Sequence, residues 1–266
     1  MTSRPVGWLI ERYVTEGRPL PDGLIDVLTN DRRRGARQLA IRLRSRVDSI
    51  ATEERRIRDL FQFENQLHEE GYRLIAGVDE AGVGPLAGPV VAAAVILPDN
   101  HHLPGLDDSK RLSEARRVDL AELIRSEAIS WAIGISTEQE IDQLNIYHAG
   151  LQAMHRAVTA LPILPDHLLV DARTIHSCHI PQRGIVRGDS LSASIAAASI
   201  IAKTTRDAMM VDLDRQYPGY GLAIHKGYPT PAHLEMIRRL GVLPIHRRSF
   251  RPVQLALGSQ PDESAR

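Results

Sequence analysis

Two adjacent acidic residues, Asp79 and Glu80, stand where a strand-like run ends and a glycine-rich turn begins. The run before them, residues 72–78, has the β-branched and apolar content of a short buried strand. Gly82 and Gly84 follow closely and leave the backbone open to close approach by a ligand. Carboxylates are the ligands that hard divalent cations prefer, so this turn is a candidate metal site.

Two further acidic residues occupy similar positions. Asp171 ends the apolar run 168–170, and Asp189 precedes an alanine-rich segment. Alone, Asp171 could simply terminate a strand and Asp189 could cap a helix. Together with Asp79 and Glu80 they favour a cluster of oxygen ligands for Mg²⁺ or Mn²⁺. Two such ions about 3.5 to 4 Å apart can activate water and neutralise phosphate charge in phosphodiester hydrolysis.

The geometry of a strand limits how this cluster can form. Neighbouring strand residues point to opposite faces, so Asp79 and Glu80 could share a metal only if the strand bends. Gly82 and Gly84 make a bend feasible. Crowded carboxylates raise each other's pKa values unless cations offset the repulsion. We therefore expect a metal-free site that is partly protonated or loosely ordered, with metal binding coupled to local order.

Five ordered segments resemble the signature of ribonuclease HII, and their order and spacing match that family across roughly residues 72–253. They are Ile75–Pro89, Leu168–Asp171, Arg187–Lys203, Tyr217–Tyr228 and His246–Pro252. The resemblance implies an α/β fold, a ribonuclease H-like mixed sheet flanked by helices. It also implies an endoribonuclease that cleaves 5′ of ribonucleotides in RNA–DNA hybrids or in duplex DNA, leaving 5′-phosphate and 3′-hydroxyl ends. The expected role is removal of misincorporated ribonucleotides, with Mn²⁺ or Mg²⁺ as cofactor. Asp79, Glu80, Asp171 and Asp189 match the family's catalytic, metal-binding carboxylates.

The same resemblance implies a substrate-binding set. Tyr228 matches the tyrosine that stacks on the junction sugar, although a lone loop tyrosine is more often a packing residue. The backbone of Gly82, Val83 and Gly84 would read the 2′-hydroxyl that distinguishes RNA from DNA. Val83 stands where the family usually has arginine, so weaker affinity or a looser junction preference is expected.

Lysine usage singles out three further positions. Of 33 basic residues only Lys110, Lys203 and Lys226 are lysine. Lys203 and Lys226 fall in two of the five segments, and Lys110 falls in the further candidate segment Asp108–Lys110. Lysine and arginine are not interchangeable around phosphates or carboxylates. We expect these three to contact phosphate or carboxylate groups, with Lys110 in a loop that resembles the family's phosphate-contacting loop.

Composition narrows the class of protein. With 266 residues, 43% of them hydrophobic, the chain can bury a full core. The net charge is zero, so nucleic acid must be bound through local basic patches. No apolar run reaches the ~18 residues of a membrane span, and residues 1–18 lack the apolar core of a secretory signal. The single cysteine, Cys178, favours a reducing, cytoplasmic location. We expect a monomer that binds nucleic acid and no membrane.

The pattern of elements predicts three regions: a basic helical N-terminal extension over residues 1–70, a catalytic domain over 71–255 and a disordered tail over 256–266. Asn30 and Asp31 predict a break within the extension. In the catalytic domain we predict strands near 72–78, 90–97, 130–136 and 168–171, the first two paired antiparallel, and helices near 113–127, 138–143, 146–160, 190–212 and 231–240. The helix predicted near 190–212 is rich in Ala, Ser and Ile and could pack closely against the sheet.

Two other functions share parts of this pattern. A phosphotransferase of the actin-like kinase kind has the same sheet and an acidic loop. A catalytically silent module could bind RNA–DNA hybrids without cutting them. ATP turnover would favour the first, and an activity indifferent to Asp79→Asn would favour the second.

Overall fold

The computed structural model describes residues 4–101 and 103–258. The chain divides into two compact units, Met1–Arg56 and a second unit that begins at Ile57. Most of the predicted disordered tail, residues 259–266, lies outside the described residues. Its first positions, 256–258, form the end of a helix.

The first unit is helical. Helix α1 spans Val6–Ile10 and continues as a π-helical turn over Glu11–Thr15, α2 spans Leu24–Thr29 and α3 spans Arg34–Leu60. The core of this unit is formed by Leu9, Tyr13, Leu24, Leu28, Leu39 and Leu43. The predicted break near Asn30 is confirmed, because the chain leaves the helix between α2 and α3.

The second unit contains one five-stranded mixed sheet. Its strands are β1 Ile75–Ala81, β2 Val90–Ile96, β3 Ser130–Ser136, β4 His167–Asp171 and β5 Gln182–Ile185. Their order is β3-β2-β1-β4-β5. The pairs β1–β2 and β2–β3 are antiparallel, whereas β1–β4 and β4–β5 are parallel. The predicted mixed sheet and the antiparallel β1–β2 pair are confirmed.

Helices cover both faces of this sheet. The helices that lie wholly within this unit are α4 Gln62–Glu69, α5 Glu114–Glu127, α6 Glu138–Leu144, α7 Ile146–Thr159, α8 Ala193–Gln216, α9 Leu222–His225, α10 Pro231–Leu240 and α11 Arg251–Gly258. Helix α8 begins later than predicted because Ser192 caps it by accepting from the Ile195 N–H, after a short 3₁₀ turn over Gly188–Ser190. The sequence pattern did not indicate β5, α9 or α11.

Small residues let the two main helices approach the sheet closely. A Cβ added at Gly77 of β1 would lie 2.0 Å from the carbonyl carbon of Ser194 in α8. One added at Gly134 of β3 would lie 2.1 Å from the Ala153 carbonyl oxygen in α7. The expected close approach of α8 to the sheet is therefore present, and it sets the distance between the backbones of β1 and α8.

The segment 57–70 packs within the sheet unit. Ile57, Leu60 and Phe61 belong to the core cluster that α8 also enters. Glu64 Oε1 accepts hydrogen bonds from Ser192 Oγ at 2.6 Å and from Ser194 Oγ at 2.7 Å. The predicted domain boundary at residue 70 thus falls later than the boundary between the two compact units.

Across residues 4–101 and 103–258, no helix combines the length and apolar character needed to cross a bilayer.

Candidate active site

The four predicted carboxylates gather at one edge of the sheet. The last paired residues of the parallel strands β1 and β4 are Val78 and Val170. Asp79 and Asp171 follow directly, so they stand side by side where the pairing between β1 and β4 ends. Asp189 lies in the 3₁₀ turn before α8, and the Gly188 N–H in the same turn donates to Asp171 Oδ1 at 2.7 Å. Three separate chain segments therefore converge on this edge.

The side chains of Asp79 and Glu80 project from β1 on opposite faces of the sheet. Asp79 pairs in register with Ala93, whose face packs against α8, and its carboxylate accepts a hydrogen bond from Ser199 of that helix. Glu80 pairs in register with Ala92, whose face packs against α7. Strand β1 stays regularly paired through both residues, and the chain turns only afterwards, at Gly82 with a φ of +97°. The bend that would bring both carboxylates onto one face is therefore not present at Asp79 and Glu80. Asp171 interacts electrostatically with both acids.

Burial and mutual repulsion raise the pKa values of Asp79, Glu80 and Asp171. Burial, followed by the charges of Glu80 and Asp171, raises the pKa of Asp79 well above its usual range. Burial also raises the pKa of Glu80 to about 7, although the nearby Arg173 guanidinium opposes the shift. The pKa of Asp171 is raised chiefly by burial, against the hydrogen bond from Gly188. These directions agree with the expectation that a metal-free site is partly protonated.

The donor set suits a hard divalent cation. Glu80 Oε2 is buried and has no hydrogen-bond partner among the residues that the structure describes. A buried carboxylate oxygen without a partner is costly, and a cation would satisfy it. Within the described ranges, no three Asp, Glu, His or Cys residues are already arranged to hold an ion. An ion held by these carboxylates would have to draw them closer together, which is the coupling of metal binding and local order expected from the sequence.

Lys110 and its loop lie against the carboxylates. Lys110 Nζ donates to Asp189 Oδ2 at 3.2 Å while its side chain remains 77% exposed. The neighbouring Ser109 shares a hydrogen bond of 2.9 Å with Ser199, the partner of Asp79. The loop is thus tied to the acidic edge and leaves an ammonium group at the surface.

Tyr228 lies beside the glycine loop. A Cβ added at Gly84 would lie 3.5 Å from Tyr228 Cε1, and the ring is 41% exposed. Lys203 Nζ stands 6.0 Å from the ring centroid and donates to Asp207 Oδ1 at 2.7 Å. Lys226 contributes its backbone: its φ is +51°, and its carbonyl accepts from Arg206. Two of the three lysines therefore contact a carboxylate.

Two buried arginines, which the sequence analysis did not single out, hold the glycine loop by its backbone. Arg247 Nη2 donates to the Gly82 carbonyl at 2.6 Å, and its Nη1 donates to the Val83 carbonyl at 3.1 Å. Arg206 Nε donates to the carbonyl of Pro89 at 3.0 Å. One acceptor position of the Gly82 carbonyl and one of the Val83 carbonyl are thus occupied by a protein donor.

The basic cluster near the C-terminus is only partly a surface patch. His246 and Arg247 are 1% and 0% exposed, whereas Arg248 and Arg251 are exposed. A run of basic residues in a sequence does not reveal that the Arg247 guanidinium group is turned towards buried carbonyls.

A chain of neutral histidines supports the loop that carries Tyr228. The Leu243 N–H donates to His246 Nδ1 at 2.9 Å, so the proton of His246 lies on Nε2, which is 3.1 Å from His233 Nε2. His233 Nδ1 then donates to the Tyr228 carbonyl at 3.0 Å. Burial lowers the pKa of both histidines to about 4. Neither ring can gain a proton without losing one of these hydrogen bonds.

Arg173 is the other charged residue at the site that the sequence analysis did not predict. Its Nη2 lies 2.9 Å from Glu80 Oε1, and its guanidinium group stands 5.2 Å from the ring centroid of Tyr147. The available signal was its position just past the end of β4, where sites in open α/β sheets lie.

Solved structures place this sheet in the ribonuclease H class of folds. The crystal structure of the ribonuclease H2 from Pyrococcus horikoshii OT3 matches with a TM-score of 0.59 and 25% identity, covering 69% of this chain and 97% of that chain. The crystal structure of Bst-RNase HIII in complex with Mn²⁺ matches with a TM-score of 0.54 and 21% identity, covering 70% and 69%. That second likeness concerns the fold alone.

Sequence relatives define the family. The Ribonuclease HII family model matches residues 76–253. Ribonuclease HII of Myxococcus xanthus (strain DK1622) is 59% identical over 251 residues, 94% of this chain and 86% of the relative. The chain therefore belongs to the ribonuclease HII family, which confirms the resemblance drawn from the sequence. It is a metal-dependent endoribonuclease with ribonuclease H activity, and the kinase-like alternative is set aside.

Proposed function

We propose that this enzyme cleaves the phosphodiester 5′ of a ribonucleotide, either in an RNA–DNA hybrid or embedded in duplex DNA. The products would carry 5′-phosphate and 3′-hydroxyl ends, and the role would be removal of misincorporated ribonucleotides. The main support is the gathering of Asp79, Glu80, Asp171 and Asp189 at one sheet edge, beside a glycine loop whose backbone is fixed.

The four carboxylates are proposed as the ligands of Mn²⁺ or Mg²⁺. A bound ion would lower the pKa of a coordinated water and neutralise charge that develops on the phosphate. Asp79 and Asp171 offer oxygens from neighbouring strand ends, and Glu80 offers the unpartnered Oε2. Lys110, already paired with Asp189, would balance the charge of this edge or contact a phosphate. The Mn²⁺ named for the Bst-RNase HIII structure is consistent with this choice of metal.

We propose that the surface from the glycine loop to Tyr228 recognises the substrate. The N–H groups of Gly82, Val83 and Gly84 would contact the 2′-hydroxyl, because Arg247 draws the Gly82 and Val83 carbonyls inwards. The exposed Tyr228 ring would stack on the sugar of the junction nucleotide. Lys203 and Lys226 would contribute positive charge beside it.

A labelled duplex with a single ribonucleotide tests the proposal. With Mn²⁺ or Mg²⁺ the expected product is one cut on the 5′ side of the ribonucleotide. Asp79→Asn should lower the rate by at least about 100-fold, because it removes a charge that acts on the transition state. Asp212→Asn is the matched control, since Asp212 is an exposed residue paired only at the surface with Arg215. A cut at another position, or an active Asp79→Asn variant, would refute the proposal.

Three broader expectations remain proposals. The arginine-rich extension, residues 1–70, would add affinity for nucleic acid through phosphate contacts, so replacing its arginines should reduce the salt dependence of binding. The single cysteine favours a cytoplasmic location. A monomer in solution is expected and can be measured by light scattering.

A further inference from the structure

The two oxygens of Glu80 have different environments. Oε1 lies 2.9 Å from Arg173 Nη2, in an ion pair whose side chains are 16% and 10% exposed. Oε2 is buried and has no hydrogen-bond partner within residues 4–101 and 103–258. A carboxylate held by one oxygen cannot rotate freely, so the direction of the other oxygen is fixed as well.

Arg173 is itself held by helix α7. Its Nη1 donates to the Tyr147 carbonyl at 3.3 Å, and its guanidinium group packs over the ring of the same residue. Gly150, one helical turn further on, leaves the space for this group, since a Cβ there would lie 2.6 Å from Arg173 Nη1. A continuous set of contacts thus runs from α7 through Arg173 to Glu80.

We propose that Arg173 is a positioning residue that binds Glu80 Oε1 and thereby presents Oε2 to a divalent ion. The inference rests on the proposed metal site and adds a residue to it. Groups that orient metal ligands typically contribute about 10- to 100-fold to metal affinity.

The sign of the effect separates positioning from simple charge. Removing a cation from the neighbourhood of a divalent ion would, by electrostatics alone, make the ion bind more tightly. Loss of positioning has the opposite consequence, because Glu80 would then have to be ordered when the ion binds. At a pH at which Glu80 is ionised, weaker binding after removal of Arg173 therefore indicates positioning rather than simple charge.

Titration calorimetry of the full chain with MnCl₂ tests this role without recourse to activity. Arg173→Met should weaken Mn²⁺ binding by about 10- to 100-fold. Arg173→Lys should recover only part of this loss, because an ammonium group cannot reproduce the planar contact with Tyr147 and Glu80. The charge-matched control is Arg238→Met, which removes an exposed arginine paired with Glu235 and should bind Mn²⁺ like the unmodified chain.

Gly150→Ala provides an independent variant that keeps every charge. Alanine favours the helix over glycine, yet its Cβ would lie 2.6 Å from Arg173 Nη1 and push this side chain away from Glu80. We expect thermal stability to be unchanged or higher and Mn²⁺ affinity to fall. A merely structural role for Arg173 would link affinity to stability instead.

The outcomes also separate this inference from the proposed function. Wild-type or tighter Mn²⁺ affinity in Arg173→Met or in Gly150→Ala would overturn the role of Arg173, as would full recovery in Arg173→Lys. If Asp79→Asn also bound Mn²⁺ like the unmodified chain, the metal site itself would be refuted. Loss of binding in Asp79→Asn alone would retain the site and reject only the positioning role.

Discussion

Gly77→Ala should destabilise the sheet unit strongly, because the new methyl group would have no space between β1 and α8. Its Cβ would lie 2.0 Å from the Ser194 carbonyl carbon and 2.2 Å from the Ile195 nitrogen, about 1.4 Å short of ordinary contact at 3.4 Å. Both obstacles are backbone atoms, so no rotamer change can relieve the contact. Overpacking of a tight core usually costs about 1 to 3 kcal/mol. We expect a loss of about 3 kcal/mol or more, since a whole helix must move.

Urea denaturation followed by tryptophan fluorescence measures this loss. The chain has two tryptophans, and a Trp8→Phe background leaves Trp131 of β3 as the reporter of the sheet unit. Gly84→Ala is the control for stability, because its Cβ would make only an ordinary contact of 3.5 Å with Tyr228 and should change the free energy of unfolding by less than about 1 kcal/mol. A similarly small loss in Gly77→Ala would show that the close approach of α8 and β1 is not required.

Three further changes test other parts of the structure. Glu64→Ala should lower the free energy of unfolding by about 3 kcal/mol, because it removes the charged acceptor at the start of α8; an unchanged urea midpoint would contradict this. His233 and His246 have folded-state pKa values of about 4, so the unfolded chain binds more protons between about pH 4 and 6.5. Stability should therefore be complete above about pH 6.5 and fall as the pH drops towards 4, with a shallower slope in His246→Gln; equal slopes would dismiss this contribution. Val83→Arg should tighten binding of a ribonucleotide-containing duplex and steepen its salt dependence by about one phosphate contact; no change in affinity, salt slope or cleavage position would show that this side chain is irrelevant.

The sequence predicted the main strands and the acidic edge for a physical reason. Apolar runs identify buried strands, and the carboxyl ends of parallel neighbours meet at one edge, so Asp79 and Asp171 could be expected together. The strand β5 was not predicted, because Gln182–Ile185 is short and three of its four residues are not buried. Its place in the sheet depends on pairing with β4 rather than on its own composition.

The arginines of the site were beyond the reach of sequence patterns. Nothing in the amino-acid sequence shows that Arg206 and Arg247 are buried, because each donates hydrogen bonds to carbonyl groups from distant parts of the chain. Arg173 is equally dependent on tertiary structure, since Tyr147 and Glu80 meet it only after folding. Long-range partners of this kind have no fixed spacing that a motif could record.

The way Arg247 holds the glycine loop bears on how this loop can change during evolution. The guanidinium group donates hydrogen bonds to main-chain oxygens, including that of Val83. Every amino acid provides such an oxygen. Replacement of the middle residue therefore leaves the anchoring intact and alters only the side chain, which under the proposed function faces the duplex. Natural variation there can retune recognition of the nucleic acid without a compensating change in the scaffold beneath.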